Sequence, residues 1–93
     1  LLDIVHNVLP DGASCVYVRQ PEALGLGHAV WCAREVVGNH PFAVMLADDL
    51  IHSDNKPCLA QMAEVHAYHG CSVLGVQRVA HEQTGRYGIV DPE

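Results

Sequence analysis

Gln20-Pro21-Glu22-Ala23-Leu24-Gly25-Leu26-Gly27-His28-Ala29, followed after a helical pattern by Phe42-Ala43-Val44-Met45-Leu46-Ala47-Asp48-Asp49, is the stretch that decides the fold. A short Gly-bearing loop opens a helix, and a six-residue apolar run ends directly in two carboxylates. Such a run, bounded by Pro41 and Asp48, predicts a strand covered on both faces in a parallel sheet. Ligands of open α/β sheets bind just beyond the carboxyl ends of the strands, so the Gly loop and the strand-terminal aspartates predict a phosphate-plus-metal site.

Working outward, Val16 to Arg19 alternate in polarity after the turn-like Pro10-Asp11-Gly12, which predicts a first strand. Leu26, Ala29, Val30, Ala33 and Val37 follow helical spacing up to Gly38, a residue suited to the left-handed conformation that ends helices. The pattern then repeats. Ser53, Asp54 and Asn55 are candidate N-caps, Pro57 suits a first turn, and Leu59, Met62, Ala63, His66 and Ala67 form one stripe before Gly70. Cys71 to Val79 predicts a third strand, with Gly75 as a bulge or a site of close approach, and Thr84-Gly85 turns toward a short strand at 87–90. The expected fold is α/β: βαβαβ plus a short extra strand, with a parallel, right-handed, doubly wound sheet. Leu1, Leu2, Ile4, Val5 and Val8 predict the tail of an earlier helix. A start on Leu1-Leu2 without Met and a stop just after a strand-like run predict that residues 1–93 are the central portion of one domain, truncated at both ends.

Composition narrows the function classes. An apolar fraction of 49% and a charged fraction of 17% are those of a folding domain rather than a disordered tail. A net charge of −6 with no Lys/Arg cluster argues against nucleic acid as a partner. No apolar run is long enough to cross a bilayer, so a soluble segment with no membrane partner is expected. Cys15, Cys32, Cys58 and Cys71 are far apart with no Cys-x-x-Cys pair, which predicts small buried thiols in a reducing cytoplasm.

Asp48 is the foremost candidate. A carboxylate at the end of a buried strand is rigid and hard enough to hold Mg²⁺, which usually takes one or two carboxylates together with substrate phosphates. The bland alternative is a cap on the following turn. Asp49 is a second candidate, with a turn hydrogen bond as its alternative. Gly25-Leu26-Gly27 brings backbone N–H groups close to a ligand, yet it lacks both the third glycine of a dinucleotide fingerprint and the Gly-Lys-Ser/Thr of a P-loop. The amide of Gln20 offers donors and an acceptor, the complement that a nucleobase edge requires. The seven histidines show no zinc-site spacing and read as structural or surface residues, including His66 and His69 on one helix face. No Ser-His-Asp order and no electropositive Cys supports covalent catalysis. Paired aspartates after a strand also occur in receiver modules, but these need a further strand-terminal Asp and a later Lys. Here the third strand ends in Gln77-Arg78-Val79 and the only lysine is Lys56.

Val18-Arg19-Gln20, Gly25 to Ala29, Phe42 to Ile51 and Arg86-Tyr87-Gly88-Ile89-Val90 together, in this order and spacing, resemble the bacterial UTP–glucose-1-phosphate uridylyltransferases of the sugar-nucleotidyltransferase family. The resemblance spans most of the chain. It implies a Rossmann-like nucleotide-diphospho-sugar transferase fold and a cytoplasmic, homo-oligomeric full-length enzyme. The implied reaction makes UDP-glucose and pyrophosphate from UTP and glucose 1-phosphate. By the same resemblance Gln20 and the backbone at Gly25 and Leu26 read the uracil. Asp48 is the catalytic residue that holds Mg²⁺, Asp49 assists at the metal, and Gly88 admits the sugar. No side-chain nucleophile is required, because positioning and charge neutralisation carry such chemistry. The family's N-terminal Gly-rich loop, its Glu-Lys-Pro segment and a further metal-binding aspartate are not in this sequence, so the 93 residues alone are expected to be inactive. Pro21 stands where relatives often carry Gly and holds Gln20 extended. The remaining alternatives are a thymidylyl- or cytidylyltransferase, and a noncatalytic nucleotide-sugar-binding relative.

Overall fold

The computed structural model describes residues 8–91. Of the helix expected over Leu1, Leu2, Ile4, Val5 and Val8, all but Val8 lie outside them, and Val8 is helical and exposed. The chain divides into two units, Leu1–Val44 and Met45–Glu93, with the boundary inside the apolar run 42–47.

In the first unit the Pro10-Asp11-Gly12 turn forms as expected: Ala13 N–H donates to the Pro10 carbonyl at 3.1 Å, and Gly12 takes a φ of 82°. Helix α1 spans Leu26–Trp31 and helix α2 spans Arg34–Val37. The single helix expected from Leu26 to Val37 is thus divided. At the break Ala33 N–H reaches the Val30 carbonyl at 3.0 Å, a bond over three residues instead of four, and Ala33 has a ψ of 1°. Trp31 and Cys32 are weak helix formers, and a short helix draws most of its stability from a packed apolar face. Gly38 ends α2 as expected, with a φ of 63° but a ψ of −141°, so it does not take the left-handed helical conformation expected there. Gly27, Val30, Trp31, Arg34, Val37, Gly38 and Phe42 line a shallow groove of about 300 Å³ on this helical pair. The Arg34 guanidinium covers the Trp31 ring at 4.6 Å from its centroid and donates to the Trp31 carbonyl at 3.2 Å.

In the second unit helix α3 spans Cys58–His69 and ends at Gly70 with a φ of 67°. Its N-cap is Pro57, not Ser53, Asp54 or Asn55. The Ser53 hydroxyl donates to the Lys56 carbonyl at 2.7 Å instead, folding the loop before the helix, and Lys56 pairs with Glu64 along it. Gly75 does lie in close approach to this helix. A Cβ added there would stand 3.4 Å from Met62 Sδ and 3.9 Å from Cys58 Sγ. A 3-10 helix, His81–Arg86, replaces the plain turn expected at Thr84-Gly85, with the Thr84 hydroxyl donating to the His81 carbonyl at 2.8 Å.

The strands expected at 16–19, 42–47, 71–79 and 87–90 carry no ladder, and no strand is formed among the described residues. A strand exists only through hydrogen bonds to a neighbouring strand, and a parallel one also needs helices over both faces. Phe42 and Met45 are accordingly 59% and 78% exposed, where full cover was expected. No described residue is fully buried. The cysteines follow the same pattern: all four are free, with Cys15 and Cys71 exposed and only Cys32 and Cys58 half-buried. Among the described residues no helix is long and apolar enough to cross a membrane.

Candidate functional site

Gln20 follows the first predicted strand segment, and Pro21 directs the chain into the loop that ends at Gly25. Gly25 takes φ 102° and ψ 178°, a conformation open essentially to glycine alone, and this turns the chain into α1. The turn aims the Gly25 carbonyl back at Gln20, whose Nε2 donates to it at 3.2 Å. The same nitrogen lies 3.0 Å from Nδ1 of His28, one turn into the helix. Cys32 Sγ completes the cluster, 3.8 Å from His28 Nε2 and 4.0 Å from Nδ1. Gln20, His28 and Cys32 are half-buried, so the cluster is partly screened from water.

The first four N–H groups of a helix have no partner within it. Those of Gly25 and Leu26 find none elsewhere among the described residues, which leaves two backbone donors beside the fixed amide of Gln20. A Cβ at Gly25 would meet nothing within 4 Å, so its glycine is required by conformation and not by crowding. The structure places Gln20 against Gly25, next to Leu26 at the start of α1. His28 and Cys32 were missed by reading the histidines as structural. The available signal was their spacing, since residues four apart share a helix face and His28 opens the turn that faces Gln20.

Asp48, Asp49 and Gly88 belong to the second unit. Asp48 sits in a turn closed by the Asp49 N–H donating to the Leu46 carbonyl at 3.2 Å. Both carboxylates are exposed, and among the described residues neither accepts a hydrogen bond nor joins an ion pair. Asp48 therefore does not cap the turn through its side chain; two hard oxygen donors stand uncommitted. That donor chemistry fits Mg²⁺, although no group of three or more His, Cys, Asp or Glu side chains gathers among the described residues. Gly88 has open space where a Cβ would stand. His66 and His69 do not act as a pair: His66 Nδ1 donates to the Cys71 carbonyl at 2.8 Å, and His69 meets the Tyr68 ring edge-on at 4.8 Å. In the first unit, partial desolvation and then the Cys15 thiol push the Tyr17 phenol above its ordinary range.

Comparison with known proteins gives this arrangement its context. A UTP–glucose-1-phosphate uridylyltransferase of Staphylococcus saprophyticus is 52% identical over 80 residues, covering 86% of this chain and 27% of its own length. That of Bacillus subtilis is 50% identical over 76 residues, covering 82% of this chain and 26% of its own. That of Staphylococcus epidermidis is 49% identical over 82 residues, covering 88% and 28% respectively. The chain thus spans about a quarter of the length of the curated relatives it matches. No solved structure matches it. The family model described as Nucleotidyl transferase matches residues 4–93, nearly the whole chain including every candidate residue named above, and the chain belongs to that family.

Proposed function

We propose that the complete protein carrying this chain transfers the uridylyl group of UTP to glucose 1-phosphate, giving UDP-glucose and releasing pyrophosphate. The observation that carries the reading is the Gln20–Gly25 arrangement: a side-chain amide tied to the loop carbonyl beside two unpartnered backbone N–H groups. Uracil presents one imino donor between two carbonyl acceptors, which one acceptor and two donors complement. The names and roughly 50% identity of the relatives support the same choice.

In this reading Gln20, Gly25 and Leu26 bind and orient the base, Asp48 holds Mg²⁺ with Asp49 beside it, and Gly88 lets the sugar approach the backbone. Bound Mg²⁺ would supply charge neutralisation on the phosphates. The chain's own contribution is placement: the phosphate of glucose 1-phosphate and the α-phosphorus of UTP are held together, so no side-chain nucleophile is called for. The doubly wound βαβαβ sheet belongs to the same proposal. The apolar runs 42–47 and 71–79 find their ladder partners and covering helices in the complete protein, this chain spanning about a quarter of the length of its curated relatives.

The test is Mg²⁺-dependent pyrophosphate release by the complete protein with glucose 1-phosphate and UTP, dTTP, CTP or ATP in turn. Preference for UTP is expected. Preference for dTTP or CTP would move the protein to a sister specificity, and no release with any of them would make it a binding-only relative.

A further inference from the structure

We infer that His28 is a positioning residue that fixes the base specificity of the site by locking the orientation of the Gln20 amide. The inference rests on the reading of Gln20 as a base-binding residue. A glutamine amide can rotate by half a turn and exchange donor for acceptor at little cost, so an unrestrained Gln20 would suit a cytosine edge as well as a uracil edge. Two contacts remove that freedom here. The Gly25 carbonyl is an acceptor only, so the amide nitrogen must face it, and the distance is 3.2 Å. The second amide proton is directed to His28 Nδ1 at 3.0 Å.

For that contact to be a hydrogen bond, Nδ1 must carry the lone pair and the ring proton must sit on Nε2, since the bond made at one ring nitrogen sets the state of the other. Cys32 Sγ, 3.8 Å from Nε2 and 4.0 Å from Nδ1, lies beside the ring and favours neither tautomer, so the Gln20 contact alone sets it. With both amide protons engaged, Oε1 is the only group Gln20 can offer a ligand, and it has no partner among the described residues. A lone acceptor suits the imino N3–H of uracil or thymine. Against cytosine, whose N3 is itself an acceptor, it sets two lone pairs face to face. An unpaired polar mismatch of this kind, once the bound base shuts water out, is what gives hydrogen-bonding sites their discrimination. The His28 ring and the Gly25 carbonyl therefore convert an ambiguous amide into a reader of the imino proton.

The experiment compares His28→Leu and His28→Asn with the wild type in the complete protein. Leu removes the acceptor, whereas the Asn carbonyl oxygen stands in for Nδ1. His28→Leu should raise KM for UTP about tenfold with a smaller fall in kcat, and should cut the preference for UTP over CTP by about tenfold. His28→Asn should restore most of that preference. Unchanged discrimination in His28→Leu, or equal behaviour of the two variants, would overturn the inference. A second measurement needs no turnover: two-bond ¹H–¹⁵N spectra of the imidazole should show His28 protonated at Nε2, with the Gln20 side-chain amide signals moving in His28→Leu. A proton at Nδ1 would overturn the lock even in an active enzyme. If the spectra agree but no nucleotide is turned over, the lock stands and the uridylyl reading fails.

Discussion

The Gln20 amide nitrogen donates to the carbonyl of Gly25, five residues on, at 3.2 Å, and this single bond closes the loop that carries the candidate base site. Its geometry depends on a backbone conformation at Gly25 that side chains disfavour, so loop and function stand on the same residue.

Gly25→Ala tests that dependence. At φ 102° and ψ 178° a Cβ is strained whatever space surrounds it, and the cost is about 1–3 kcal/mol. The expected outcome is a lowered urea midpoint together with a raised KM for UTP in the complete protein. A variant as stable as the wild type would show that the loop can relax into another turn.

Asp48→Asn separates chemistry from folding. The carboxylate makes no hydrogen bond or ion pair among the described residues, so its neutral isostere should leave the far-UV circular dichroism and the melting temperature unchanged. If it holds Mg²⁺, turnover should fall by about a hundredfold or more. Chelation of Mg²⁺ should abolish turnover in the wild type and have no further effect in the variant.

Gly75 probes packing within the second unit. A Cβ there would stand 3.4 Å from Met62 Sδ, which is ordinary contact with a flexible side chain. Gly75→Ala should therefore be tolerated within about 0.5 kcal/mol, while Gly75→Val overpacks the contact and should cost about 1–3 kcal/mol by denaturant unfolding.

The 93-residue chain on its own should bind an apolar dye such as ANS and self-associate. Phe42 and Met45 are 59% and 78% exposed, and Leu50 is 99% exposed, well beyond the scattered apolar surface of a soluble monomer. A monodisperse chain that leaves the dye dark would mean that these residues cover one another in solution.

Local features of this chain were legible in its residues because they are decided locally. The helix start at Leu26, the stops at Gly38 and Gly70, the turn at Pro10 and the close approach at Gly75 depend on capping, backbone freedom and neighbours a few residues away. The helix break at Cys32-Ala33 and the Pro57 cap were not legible, since both depend on which of several nearly equal hydrogen-bonding choices the backbone takes. The strands are not formed among the described residues for a different reason. Apolar periodicity at 42–47 and 71–79 reports what a segment can bury, but a ladder requires partners, and those the described residues do not supply.

By itself, then, the sequence determined the family, the helix start at Leu26 and the stops at Gly38 and Gly70, and the residue types that suit a nucleotide and a divalent cation. Those depend on the order of residues and on short-range sterics alone. Only the tertiary structure decided that Gln20 spends its two donors on Gly25 and His28 and keeps one acceptor free, and that Asp48 leaves its carboxylate uncommitted. Hydrogen-bond partners are chosen in space, by distances of about 3 Å that sequence spacing does not encode.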